Sequence, residues 1–195
     1  MTVSSNPDPK LAAFLADISA QIGDEKGAQK PFPPVENWHP VNCGDIGMEI
    51  RRDGSWWHEG RKITRPAMVK LFARILRKDD DGKTYLVTPH EKVIVHIEDA
   101  HFAIIRIDCY GIGTSQTIAV TTNLGEIVTI SEANPLRVII NAETREPRVY
   151  VRIRGKLEAV FLRAPFYELI ETAVQIGEDF GVFSSGVFFK IDKVD

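Results

Sequence analysis

Residues 48–76 read MEIRRDGSWWHEGRKITRPAMVKLFARIL, a hairpin pattern running straight into a helix pattern. Two strand-like runs flank Asp53-Gly54, a dipeptide suited to a tight type I′ turn. Thr64 is placed to cap the helix, Pro66 fits its first turn, and Arg77 with Lys78 suit its C-terminal dipole. Met68, Val69, Phe72, Ile75 and Leu76 share one helical face. Asp79-Asp80-Asp81-Gly82 stops the helix, and TYLVTP (84–89) reads as a short strand broken by Pro89.

The same order of patterns returns near the other end of the chain. FLRAPFYELIETAV (161–174) follows a run of strands and precedes GVFFKI (186–191). Its second helix is expected from Pro165 to about Gly177, with Phe166, Leu169, Ile170, Ala173 and Val174 on one face. Arg65 aligns with Arg163, Leu71 with Leu169, Phe72 with Ile170 and Leu76 with Val174, all at one offset. Each arginine stands where a strand gives way to a proline-opened helix. Any two amphipathic helices preceded by strands would show part of this likeness. The expectation is nevertheless an internal duplication, with a groove between the two copies where ligand pockets are favoured.

Outward from these segments, Leu11, Phe14, Leu15, Ile18 and Ile22 mark an N-terminal helix over 8–22, with Gly23 as its C-cap. Residues 1–7 are polar and are expected to be disordered. Residues 23–34 form a linker ending in KPFPP, and Trp38 is expected to anchor the broken segment that follows. From Val93 to Arg163 nearly everything is strand-like, with connections short enough for antiparallel neighbours. The expected fold is α+β: two related strand–strand–helix–strand units with mostly antiparallel sheets. The expected divisions are 1–34, 35–92 and 93–195.

The chain has 195 residues, 44% of them hydrophobic, enough for a sizeable core. A formal net charge of -3 argues against a DNA- or RNA-binding protein, which needs a basic footprint. Two cysteines, Cys43 and Cys109, are too few for a disulfide scaffold. MTVSSNPDPK lacks the basic and apolar regions of a signal peptide, and no apolar run could span a membrane. A cytoplasmic protein is expected.

Standard catalytic and metal patterns fail one by one. Cys43 with His58 and Glu59 could supply a thiol and a base, but a packed cysteine beside a hairpin explains them as well. His39, His58, His90, His96 and His101 form no close-set metal-ligand pattern. The aspartate run lacks the alternation of a calcium loop. Gly111-Ile112-Gly113 leads into a strand rather than a helix, against a phosphate loop. Ser184-Ser185-Gly186 lacks the nucleophile-elbow pattern. No cofactor and no catalytic residue is assigned.

What remains is an aromatic and cationic set. Trp56 and His58 alternate onto one strand face, Arg65 and Arg163 open helices, and Glu91 with Lys92 follow the strand that Pro89 ends. Trp56, His58, Arg65, Glu91, Lys92 and Arg163 together suit an anionic, ring-bearing ligand. Structural ion pairs and a core tryptophan are the competing reading.

These same stretches carry a family resemblance. W-x-P-x-x-C-G (38–44), DGSWWHEGRKITR (53–65), G-x-x-YL-x-TP-x-EK (82–92) and RGKLEAVFLRAPFYEL (154–169) resemble the bacterial family called domain of unknown function 1285. The resemblance spans about Trp38 to Leu169 and implies a duplicated α/β architecture whose second half is loosely like a pleckstrin-homology barrel. It further implies a nucleotide-like ligand between the halves and a part in signal transduction. Trp56, His58, Gly60, Arg65, Glu91, Lys92 and Arg163 fall on the family's motif positions. The leading expectation is thus a small-ligand-binding regulatory protein. A protein-interaction module using exposed strand edges is the alternative, and an enzyme using His58 or Glu91 with Cys43 the third.

Overall fold

The computed structural model describes residues 9–22 and 31–193. Among the described residues the chain is mostly β-sheet with three α-helices, arranged as two compact units. The first unit takes residues 1–51 and 55–98, and the second takes 52–54 and 99–195. The expected division at 92/93 falls inside a strand of the first unit, because that strand lies in the middle of the first sheet.

In the first unit, helix α1 (Pro9–Ile22) buries Leu11, Phe14 and Ile18, as its apolar stripe predicts. The expected Gly23 cap, the disordered 1–7 and the linker's first residues lie outside the described residues. Strand β1 (Asn42–Ile50) turns into β2 (Trp56–His58), then β3 (Arg61–Lys62), helix α2 (Pro66–Arg74), β4 (Leu76–Lys78), β5 (Thr84–Val87) and β6 (Glu91–Ile97). The sheet order is β3-β2-β1-β6-β5-β4, antiparallel except for the central β1:β6 pair.

Two local expectations are corrected. The turn at Asp53-Gly54 is not a two-residue type I′ turn. Arg51 N–H donates to Ser55 O at 2.9 Å, leaving a three-residue loop that ends on Gly54 with φ +78°. That left-handed position is the one glycine fills without strain. Helix α2 also stops at Arg74 rather than Lys78. Leu76, Arg77 and Lys78 instead pair with Leu86, Tyr85 and Thr84 across the aspartate turn, so strand pairing overrides the helical periodicity.

In the second unit, strands β7 (Phe102–Tyr110), β8 (Thr117–Thr122), β9 (Ile127–Thr129), β10 (Leu136–Ile140), β11 (Pro147–Arg154) and β12 (Leu157–Phe161) form a sheet ordered β10-β11-β12-β7-β8-β9. Its central pair, β12:β7, is again parallel. Helix α3 (Arg163–Glu171) packs on β7 and on β14 (Asp179–Ser184). Strand β13 (Val174–Ile176), β14 and β15 (Val187–Lys193) close the chain as a three-stranded antiparallel sheet. Residues 174–176, expected in the helix, pair with Gly181, Phe180 and Asp179 as β13. Ser184 is fully buried; its Oγ accepts from Ile118 N–H at 2.9 Å and donates to Ile130 O at 2.6 Å.

The two six-stranded sheets share one strand order. Each runs third, second, first, sixth, fifth, fourth, with first and sixth parallel. The helices do not share it. α2 lies between the third and fourth strands of its sheet, whereas α3 follows the sixth. Arg65 and Arg163 therefore open helices at different points of the common order.

Candidate functional site

Strand alternation sorts the hairpin's side chains. On β2, Trp56 turns into the core and is 1% exposed. Its ring stacks on Phe72 of α2 at 5.9 Å between centroids and 23° between planes. Ile50, its partner across the ladder, is fully buried, and so is Met48. His58 lies opposite Met48 and is half-buried on this same side. A ring packed this way has no face left for a ligand, so the expected stacking role of Trp56 is not open to it.

The neighbouring residue does what Trp56 cannot. Trp57 pairs with Glu49 on β1 and with Lys62 on β3, and Glu49 pairs with His96 on β6. Lys62, Trp57, Glu49 and His96 thus form one cross-strand row over four adjacent strands. Arg51 completes it. Its guanidinium carbon lies 3.5 Å from the Trp57 ring centroid, and its Nε is 3.5 Å from a Glu49 carboxylate oxygen. Trp57 Nε1–H donates to Ser55 Oγ at 2.8 Å, which orients the indole. His96 Nε2 meets Asp45 Oδ2 at 2.8 Å at the row's far end. The backbone N–H of Gly47 and then His96 hold the Asp45 carboxyl below its usual range. Arg51, Glu49, Asp45 and His96 are all open to solvent at roughly half their area.

A second polar group sits around Lys92, the second residue of β6. Lys92 Nζ lies 2.8 Å from Asp79 Oδ2 and 4.0 Å over the Tyr85 ring. Tyr85 donates its hydroxyl to Asp81 Oδ2 at 2.6 Å. That bond, then burial, pushes the Tyr85 hydroxyl pKa far up. Arg77 donates to Asp79 Oδ1 at 2.6 Å and to the carbonyls of Val35 and Trp38, the latter at 2.8 Å. The segment expected to hang on the Trp38 ring is therefore held by its backbone carbonyls. Burial opposes the charge on Asp79, but the bonds from Arg77 and Lys92 outweigh it and keep the carboxyl ionised below its usual range. Lys92 is thereby committed to an internal partner.

The other expected residues are scattered. Glu91 lies opposite Asn42, and its backbone closes a turn with Thr88. Arg65 is exposed just before α2, its carbonyl accepting from Met68 and Val69 N–H. Arg163, in the second unit, is exposed with its guanidinium carbon 5.8 Å from the Tyr167 ring centroid. Of the expected enzyme's parts, Cys43 and His58 do not come together, while Glu91 lies one ladder position from Cys43. Cys43 pairs with Lys92, whereas His58 pairs with Met48, five positions further along β1 and on the order of 15 Å away at the usual strand rise. His101 is buried, its Nδ1 accepting from Glu158 N–H at 3.0 Å.

Both units match the halves of one family. Residues 33–100 match the N-terminal domain, and residues 101–191 the C-terminal domain, of the domain of unknown function DUF1285. The chain belongs to the DUF1285 family. It is similar to a DUF1285 family protein from Silicibacter pomeroyi DSS-3, with 39% identity and a TM-score of 0.83 over 92% of this chain and 94% of that one. It is also similar to a DUF1285 family protein from Shewanella baltica OS155, with 26% identity and a TM-score of 0.52 over 65% of this chain and 92% of that one. No curated protein matches the chain. Among the described residues, no helix is long and apolar enough to cross a membrane.

Trp57, Arg51, Glu49 and Lys62 are not among the site residues expected from the sequence. Period-2 alternation held the signal, since Trp56 and Trp57 must face opposite ways. Which of the two faces the core depends on α2 placing Phe72 against one of them.

Proposed function

We propose that this DUF1285 protein is a regulatory binding protein for a small, nucleotide-like anion, taken up on the open face of the first unit's sheet. The observation that carries the proposal is the Arg51–Trp57–Lys62 cluster. Trp57 offers a ring for stacking. Arg51, lying on that ring and steadied by Glu49, presents N–H donors in a fork suited to phosphate or carboxylate. Lys62, exposed beside Trp57, adds positive charge that no acidic side chain neutralises among the described residues. A role in bacterial signal transduction in the cytoplasm fits a binding site without an assembled catalytic group.

The shared strand order supports reading the units as products of a duplication, and the same proposal takes the second unit, a six-stranded sheet followed by α3, as loosely pleckstrin-homology-like. The test is calorimetric titration of the chain with a panel of nucleotides, followed by tryptophan fluorescence. At least one nucleotide is expected to bind, with Trp57→Ala and Lys62→Ala each weakening it about tenfold or more. If no nucleotide binds at millimolar concentration, the proposal is wrong.

A further inference from the structure

Charge is unevenly spread along the chain. From Gly60 to Lys78 every charged residue is a cation, and there are seven, in a chain whose formal net charge is -3. Arg77 is consumed by Asp79, and Arg74 donates to Pro31 O at 2.7 Å and lies over Phe32. Of the other five, Lys78 is half-buried on β4, while Arg61, Lys62, Arg65 and Lys70 are exposed, and no acidic side chain pairs with these four among the described residues. They form a basic strip along β3 and the start of α2.

One stretch of the second unit has the opposite balance. From Ala164 to Phe189 every charged residue is an acid. Asp179 is neutralised by Lys190, which leaves Glu168, Glu171 and Glu178 exposed without an ion-pair partner among the described residues. Exposed apolar side chains lie among them: Tyr167 on α3, Val174 and Ile176 on β13. β13 is also the edge of its three-stranded sheet, so one side of its backbone has no strand neighbour there. Such an edge, charged with one sign and dotted with apolar groups, suits a surface of the opposite sign.

We propose that the acidic edge formed by α3 and β13 of one copy docks on the basic strip formed by β3 and α2 of a second copy of this chain. Charge complementarity selects the partner: the two patches have opposite sign, both are exposed, and both belong to the same molecule. Two copies make this contact either reciprocally, as a two-fold pair, or once each way along a ring or an extended row. The strip shares Lys62 with the Arg51–Trp57–Lys62 cluster, so its test uses Arg65 and Lys70, which lie outside that cluster.

Sedimentation equilibrium of the full chain tests it, at low and high salt over a wide concentration range. The average mass is expected to rise with concentration at low salt and fall to the monomer at high salt. The charge reversals R65E/K70E and E168K/E171K should each weaken association by about tenfold or more, with far-ultraviolet circular dichroism unchanged. Mixed together, the two variants should associate again, because the acidic edge of the first then meets the basic strip of the second. A wild type that stays monomeric at low salt overturns the proposal. So does self-association that neither reversal weakens, or a monomer that binds poly-aspartate, which would assign the strip to a foreign acidic partner.

Discussion

Trp57 carries the guanidinium of Arg51 at 3.5 Å from its ring centroid, while Trp56, one residue earlier, stacks on Phe72 in the core. Adjacent tryptophans thus have opposite duties. Trp56→Ala removes a fully packed ring and is expected to cost about 3–5 kcal/mol of stability. Trp57→Ala loses an exposed cation–ring contact and is expected to cost about 1 kcal/mol or less. Urea denaturation of the two variants measures the difference.

Arg77 ties three things together: Asp79, the Val35 carbonyl and the Trp38 carbonyl. Arg77→Met keeps the apolar volume but leaves a half-buried carboxylate with only Lys92 and strands two carbonyls. The expected loss is about 3 kcal/mol. Proteolysis of the 31–41 segment should accelerate alongside it, a change that limited chymotrypsin digestion, cutting after Trp38, would record.

Asp79 also makes a pH prediction. Its pKa is lowered in the folded chain, so the charged form is favoured by folding. Its contribution is fully present above the unfolded carboxylate value of about 3.9 and is lost as pH falls through the lower folded value. Denaturation midpoints measured from pH 6 downward should therefore fall in acid. In Asp79→Asn that fall should be shallower, from a lower plateau at neutral pH.

Ser184 joins β14 to the second unit's six-stranded sheet through two backbone partners, Ile118 N–H and Ile130 O. Ser184→Ala leaves the Ile118 N–H unmatched in a dry interior and leaves Ile130 O with only the longer bond from the Ser185 hydroxyl, at 3.2 Å. A cost of about 1–3 kcal/mol is expected. Hydrogen exchange at the Ile118 amide should rise more than at amides of the first unit.

Much of the architecture was legible from local chemistry. The hairpin before α2, the proline-opened helices, the aspartate turn and the long run of strands all appear where turn residues and apolar spacing put them. The family could also be read from the sequence, because its motifs are strings of neighbouring residues. Local periodicity failed at helix ends. Ile75 to Lys78 continue a helical stripe, yet β5 draws residues 76–78 into a strand because the sheet leaves no other partner on that side.

The repeat shows the same division. The sequence suggested likeness through two helices, Arg65 against Arg163. The structure carries likeness in the sheets instead, in a strand order that places the first and sixth strands side by side. Contacts between strands so distant in the chain leave no trace in spacing. The open-face row follows the same rule. Alternation determined that Trp56 and Trp57 point apart. Only the tertiary structure decided which one meets Phe72 and which one lies beneath Arg51, because burial is a property of what packs on a strand and not of the strand itself.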